Sequence, residues 1–228
     1  MAPRAATPCH DDGMSWYVHE RTALADALRE AGPTAPTLCA GWEARHVAAH
    51  VLLRERSPRV GLGLAIPALT PQSDRLTAEL ADTARDAAGF AALVDQVARP
   101  ASRWTPVAWA GDAANLVEFY VHTEDVRRGA GPVPARDLEP ELARALWERL
   151  GSMARLGYRR SPAGVVLVVT DGPRKAVHRP HGDHGTVVVR GTVGELTLHA
   201  LGRGAAATVE IVGAPEDVAA LQAVLPGG

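Results

Sequence analysis

The spacing of apolar residues changes period at Ser161-Pro162. A chain that is helical up to such a point and mixes strands with helices after it divides into a helical part and a smaller α/β part. Upstream, Trp16, Leu24, Ala27 and Leu28 recur at helical spacing, and Gly32-Pro33 ends that helix. A second helix is predicted from Trp42 to about Arg56, closed by Ser57-Pro58. Residues 60–71 read as an irregular Gly- and Pro-rich connection, followed by helices from Gln72 to Ala87 and Phe90 to Ala98, broken near Gly89 and Pro100. The stretch SRWTPVAWAG reads as loop, and Asp112 as the N-cap of a helix that runs to about Arg128 and stops at Gly129. One more helix is predicted over 139–158. Downstream, GVVLVVT, HGTVVVRG and ATVEIVG are short and β-branched, as strands are. VGELTLHALGRG between the last two reads as a helix with a glycine stop, with strand as the alternative, and 215–223 as a final helix with Pro215 in its first turn. The expected fold class is α+β: a flexible leader over 1–13, a helical bundle over 14–160 and a small mixed α/β domain over 161–228.

Bulk properties narrow the partners. With 228 residues, 46% hydrophobic and 22% charged, the chain can bury one large core or two small ones. A formal charge of −2 gives no electrostatic basis for binding nucleic acid or an anionic membrane. Aromatics are only 4%, so Ala, Val and Leu must build the core. No apolar run approaches the ~20 residues of a membrane helix, and MAPRAATPCHDDG lacks the apolar segment of an export signal. Cys9 and Cys39 are expected to be reduced thiols of a cytoplasmic protein, with Cys39 a small buried one; the alternative is a lone disulfide tying the leader to the body.

Two spacings carry chemistry. In NLVEFYVHTEDVRR, Glu118 and His122 are four residues apart, so one helical face presents both to one ion. Asn115, Glu118, His122 and Asp125 form one polar stripe, bordered by Phe119 and Val126 on one side and by Val117 and Val121 on the other. A stripe framed by apolar residues tends to face inward, where its charges must be paired or bind a metal. In GWEARHVAAHVLLRER, His46 and His50 repeat the four-residue spacing near Trp42 and Leu53. Spacing alone does not choose among these four candidate ligands. His178, His181 and His184 in VHRPHGDHG have the composition of a metal tract, but their Gly- and Pro-rich setting favours a solvated turn. GLGLAIP and GRGAA do not open a helix after a strand, so neither is a phosphate loop. Arg203 caps a helix or binds an anion.

The segment ERTALADALREAGPTAPTLCAGWEARHVAAHVLLRERSP, with VEFYVHTEDVRR downstream, resembles the mycothiol-dependent maleylpyruvate isomerase family of the DinB-like metal-binding four-helix bundles. The pattern is T-x-C-x-G-W, a His eight residues after the Trp, then E-x-x-x-H-x-x-D, and the likeness spans about Trp16 to Leu221. It is strongest to an actinobacterial branch of metal-binding proteins with no defined substrate. The resemblance implies that His50, Glu118 and His122 are the metal ligands, and it leaves His46, where relatives carry an acidic residue, outside the set. It implies that the C-terminal part is similar to sterol carrier protein folds, with Gly202-Arg203 at the position of a functional Gly-Arg pair.

Two His and one Glu leave a coordination position open, as catalytic rather than structural zinc sites do. The resemblance implies that the thiol of mycothiol occupies it. Metal binding would convert a thiol of ordinary pKa about 8.5 into a thiolate able to attack an electrophilic carbon. The expected function is a zinc-dependent enzyme, a transferase or isomerase, acting on a small-molecule thiol and an electrophile, as a monomer or homodimer. Arg203 would hold a substrate carboxylate. Two alternatives stand beside it: a hydrolase using zinc-bound hydroxide, with Asp125 or His46 as base, and a non-catalytic metal-binding module.

Overall fold

The computed structural model describes residues 16–57, 70–100 and 112–225. The leader with Cys9, the GLGLAIP segment and the loop before Asp112 lie outside these residues, as does the Asp112 side chain. Six helices come first: α1 (Trp16–Ala31), α2 (Ala44–Arg56), α3 (Thr70–Asp82), α4 (Ala87–Ala98), α5 (Asp112–Arg127) and α6 (Pro140–Gly157). A four-stranded sheet with two further helices follows: β1 (Gly164–Val169), β2 (Arg174–His178), β3 (Thr186–Gly191), α7 (Val193–Ala200), β4 (Glu210–Val212) and α8 (Pro215–Gln222). The fold is therefore α+β. No described helix is long and apolar enough to cross a membrane.

Two local details differ from the sequence reading. The break between α3 and α4 falls before Asp86 rather than at Gly89, because the Asp86 carboxylate accepts the Gly89 backbone N–H at 2.7 Å and caps α4. Strand β2 escapes a hydrophobic pattern because it is an edge strand in which only Val177 is buried. The strand order is β2-β1-β3-β4, with β1 and β3 parallel and both outer pairs antiparallel.

Three apolar clusters hold these elements together. The first joins Leu24 and Leu28 of α1, Val47 and Val51 of α2, Phe90 and Val94 of α4, and Phe119 and Val126 of α5. In another, Val165, Leu167, Val187 and Val189 of the sheet pack on Leu150, Ala154, Leu196 and Leu221 of α6, α7 and α8. Between them, Leu116 and Tyr120 of α5 meet Leu142 and Leu146 of α6 and Leu198 of α7. Helix α6 thus serves both the interface and the sheet, through successive turns of one apolar face.

Candidate metal centre

Helix α5 turns its polar stripe inward. Phe119 and Val126 are needed in the first cluster and Leu116, Val117 and Val121 in the interface cluster, so Asn115, His122 and Asp125 are carried between them and buried, with Glu118 half-buried. On α2 the buried Val47 and Val51 leave His50 and Arg54 on the turn that faces this stripe. The consequence is a convergence of donors. His122 Nε2 lies 3.2 Å from Glu118 Oε1, and His50 Nε2 lies 3.4 Å from the same oxygen. The three donor atoms lie within 4.8 Å of one another. A tetrahedral site with bonds of about 2.0–2.1 Å has edges of about 3.3 Å, so the two measured edges suit a divalent ion.

The residues around this triad fix its orientation. The Trp42 ring stands 5.2 Å from the His50 ring, which in turn stands 5.2 Å from that of His122. Arg54 places Nε 3.4 Å from Glu118 Oε1 and donates through Nη1 to Asn115 Oδ1 at 3.0 Å. Sequence reasoning missed Arg54, although its position four residues after His50 puts it on the same face. Burial alone would raise Glu118, but hydrogen bonds from His122 and His50 and the Arg54 charge hold it well below the usual carboxylate range.

On the far side of His122, Nδ1 lies 2.9 Å from Asp125 Oδ2. Asp125 is closed off: Arg203 donates through Nε to Oδ1 at 2.9 Å and through Nη2 to Oδ2 at 2.7 Å, and the Cys39 thiol donates to Oδ2 at 3.2 Å. Burial opposes ionisation of Asp125, yet His122 and Arg203 lower it to about 2. Against the effect of burial, hydrogen bonds with Asp125, Cys39 and Glu118 hold His122 well above its ordinary value when no metal competes for Nε2. A carboxylate on the outer nitrogen fixes the imidazole tautomer with Nε2 free to ligate.

Two backbone devices deliver Arg203 and Cys39. Gly202 has φ +82°, and the Arg203 N–H to Leu198 O and Gly202 N–H to His199 O bonds complete a Schellman turn at the end of α7. That turn sends Arg203 back toward α5, where the carboxylate it meets is Asp125, and its Nη1 donates to Leu201 O at 2.7 Å. At the end of α5, a Cβ on Gly129 would lie 1.9 Å from Pro36 O, so only glycine lets the 33–43 segment pack there. Leu38 N–H then donates to Asp125 O at 3.0 Å, setting Cys39, half-buried and free, over the carboxylate.

The other candidates find different partners. His46 sits in the first turn of α2, where Nδ1 accepts the Glu43 backbone N–H at 3.1 Å, the reciprocal arm of a capping box. Burial, with the Arg45 charge, lowers its pKa. His178 binds Ser161 O at 2.7 Å and His184 binds Asp217 Oδ1 at 2.9 Å, while the His181 ring lies 5.3 Å from that of His178, tilted by 42°. Among the described residues these three do not converge as ligands. Neither His46 nor Asp125, the two bases a hydrolase would draw on, is free to take a proton from water.

No family model and no curated protein sequence matches the chain. Among solved structures, the crystal structure of the mycothiol-dependent maleylpyruvate isomerase superposes with a TM-score of 0.56 at 17% identity, covering 92% of this chain and 98% of that one. A histidine-to-alanine mutant of that enzyme gives 0.55 with the same identity and coverage. At this identity the likeness is one of architecture: the chain has the fold of the mycothiol-dependent maleylpyruvate isomerase.

Proposed function

We propose that this protein is a cytoplasmic enzyme that holds one divalent metal, zinc by its donor set, on His50, Glu118 and His122. It would activate mycothiol for transfer to, or isomerisation of, a small electrophile. The observation that carries the reading is the shared Glu118 oxygen, 3.2 Å and 3.4 Å from the two imidazole nitrogens, in a fold shared with a mycothiol-dependent isomerase. Two His and one carboxylate leave room for a fourth ligand. The metal, when bound, would supply the charge that keeps a thiol deprotonated at neutral pH.

The chain's own residues would do the rest. Asp125 holds the His122 tautomer, Arg203 helps to keep Asp125 ionised, and Arg203 and Cys39 hold it in place. Arg203 is in this reading a positioning residue, acting on the metal through Asp125 and His122. Trp42 walls the His50 side. An electrophile with a carbon–carbon double bond could then add the thiolate reversibly and rotate before elimination, which is isomerisation; one with a leaving group would alkylate the sulfur and release that group with its bonding pair, which is transfer.

The test is a cobalt-substituted protein titrated with mycothiol and, separately, with glutathione. The reading expects a saturable change in the visible spectrum, with a sulfur-to-cobalt charge-transfer band, from mycothiol and little from glutathione. No thiol-dependent change from either would overturn it.

A further inference from the structure

The C-terminal part contains a cavity of about 440 Å³ lined by His199, Gly204, Val209, Ile211, Gln222 and Leu225, with two alanines of the 205–207 turn. That size lies within the range of small-molecule pockets, roughly 300–1,000 Å³. None of its lining residues carries a formal charge at neutral pH, and none belongs to the metal centre. Two polar side chains line it, the amide of the exposed Gln222 and one buried imidazole. His199 is 2% exposed, and its Nδ1 lies 2.7 Å from the hydroxyl of Tyr158, which is itself fully buried.

The hydrogen in that contact can be placed. A buried hydroxyl needs an acceptor for its hydrogen, and among the described residues Nδ1 is the acceptor within reach. Burial raises the Tyr158 pKa, so the phenol keeps its proton and donates it. Burial also lowers His199 to about 4, so the ring is neutral at neutral pH and its one hydrogen resides on Nε2. Among the described residues this Nε2 has no hydrogen-bond partner. A Cβ on Gly204 would stand 3.8 Å from Nε2 and 3.5 Å from Cδ2, so the missing side chain is what leaves that ring edge open to the cavity.

We propose that this cavity is a second ligand site, which takes an uncharged, mainly apolar small molecule and grips one carbonyl oxygen with the His199 Nε2 hydrogen. The apolar wall supplies burial and the buried imidazole donor supplies orientation. Among the described residues that line it, an anion has no cation to meet and a cation no carboxylate. A pure hydrocarbon would leave the donor unpaired, at a cost of about 1–3 kcal/mol.

The experiment uses the full ¹⁵N-labelled chain with 2-octanone and octane as probes, read on the histidine side-chain resonances. Saturable binding of 2-octanone that shifts the His199 Nε2–H signal is expected, with octane weaker. His199→Phe should weaken 2-octanone about five- to tenfold, as loss of one buried hydrogen bond does, while leaving octane unchanged. Gly204→Val keeps the Tyr158–His199 pair and fills the space before it, so it should abolish binding of both probes. Absence of saturable binding, or wild-type affinity for 2-octanone in either variant, would overturn the proposal. The readout is binding in the C-terminal part, so its failure leaves the metal-centre reading untouched.

Discussion

Asp125 is the residue on which most of the centre converges. It meets one ligand histidine, one arginine and one thiol, and it does so with no exposed side-chain surface. Replacing it with Asn keeps the size but removes the charge that orients His122 and pairs Arg203. Asp125→Asn should lower metal affinity about 10- to 100-fold, measured by competition with a chromophoric chelator. An unchanged affinity would reduce Asp125 to a packing residue. His199 offers a separate check through pH. Its folded value of about 4 lies below its unfolded value, so between those values the unfolded chain binds a proton that the native one refuses. Stability from this group is full above the unfolded pKa and is lost as pH falls toward 4. Between pH 7 and pH 5 the wild type should lose about 2 kcal/mol more than His199→Phe, read from urea unfolding in a metal chelator. Equal losses would show that the His199 ring takes up a proton freely in the folded chain.

At the scale of elements, the site depends on how closely the 33–43 segment approaches the end of α5. Gly129→Ala would put a methyl 1.9 Å from Pro36 O. We expect a loss of about 1–3 kcal/mol, the usual cost of overpacking, and faster labelling of Cys39 by a thiol reagent in a Cys9→Ser background. Unchanged labelling would mean that the segment is held by other contacts. Helix α5 was legible in the sequence because its stripe has apolar borders on both sides, which fixes the inward face without knowledge of the partner. The helices, three of the four strands and the Schellman glycine were legible for similar reasons of period and punctuation. What was not legible depends on distant pairing. Strand β2 needs β1 beside it, Arg54 needs the facing stripe, and the destination of Arg203 needs the whole chain between 125 and 203 to be folded.

Over the whole molecule, helices and sheet are joined by buried charge as well as by the interface cluster. Arg128 at the end of α5 donates through Nε to Glu124 Oε2 at 2.6 Å and through Nη2 to Glu195 Oε1 of α7 at 2.6 Å; Arg136 reaches Glu20 Oε2 of α1 at 2.7 Å. Such pairs add little net stability, but breaking one strands its partner. Glu195→Ala should therefore cost about 3–5 kcal/mol, and because Glu195 precedes the Arg203 turn on the same helix, the loss should weaken the bond to Asp125 as well. Thermal unfolding of the variant checks the first, and its metal affinity the second; a neutral effect on stability would show that water reaches Arg128.

The same contacts that suit a metal are, without one, a set of histidine–carboxylate hydrogen bonds, and the account turns on which they are in the cell. Metal content per chain, measured by mass spectrometry on wild type, His50→Ala and His46→Ala purified side by side, separates the two most directly. One zinc or other divalent ion per chain is expected in the wild type, with a sharp loss in His50→Ala and full occupancy in His46→Ala, which should lose only helix-cap stability of up to about 1 kcal/mol. Metal-free wild type that cannot be loaded, or equal occupancy in the two variants, would contradict it.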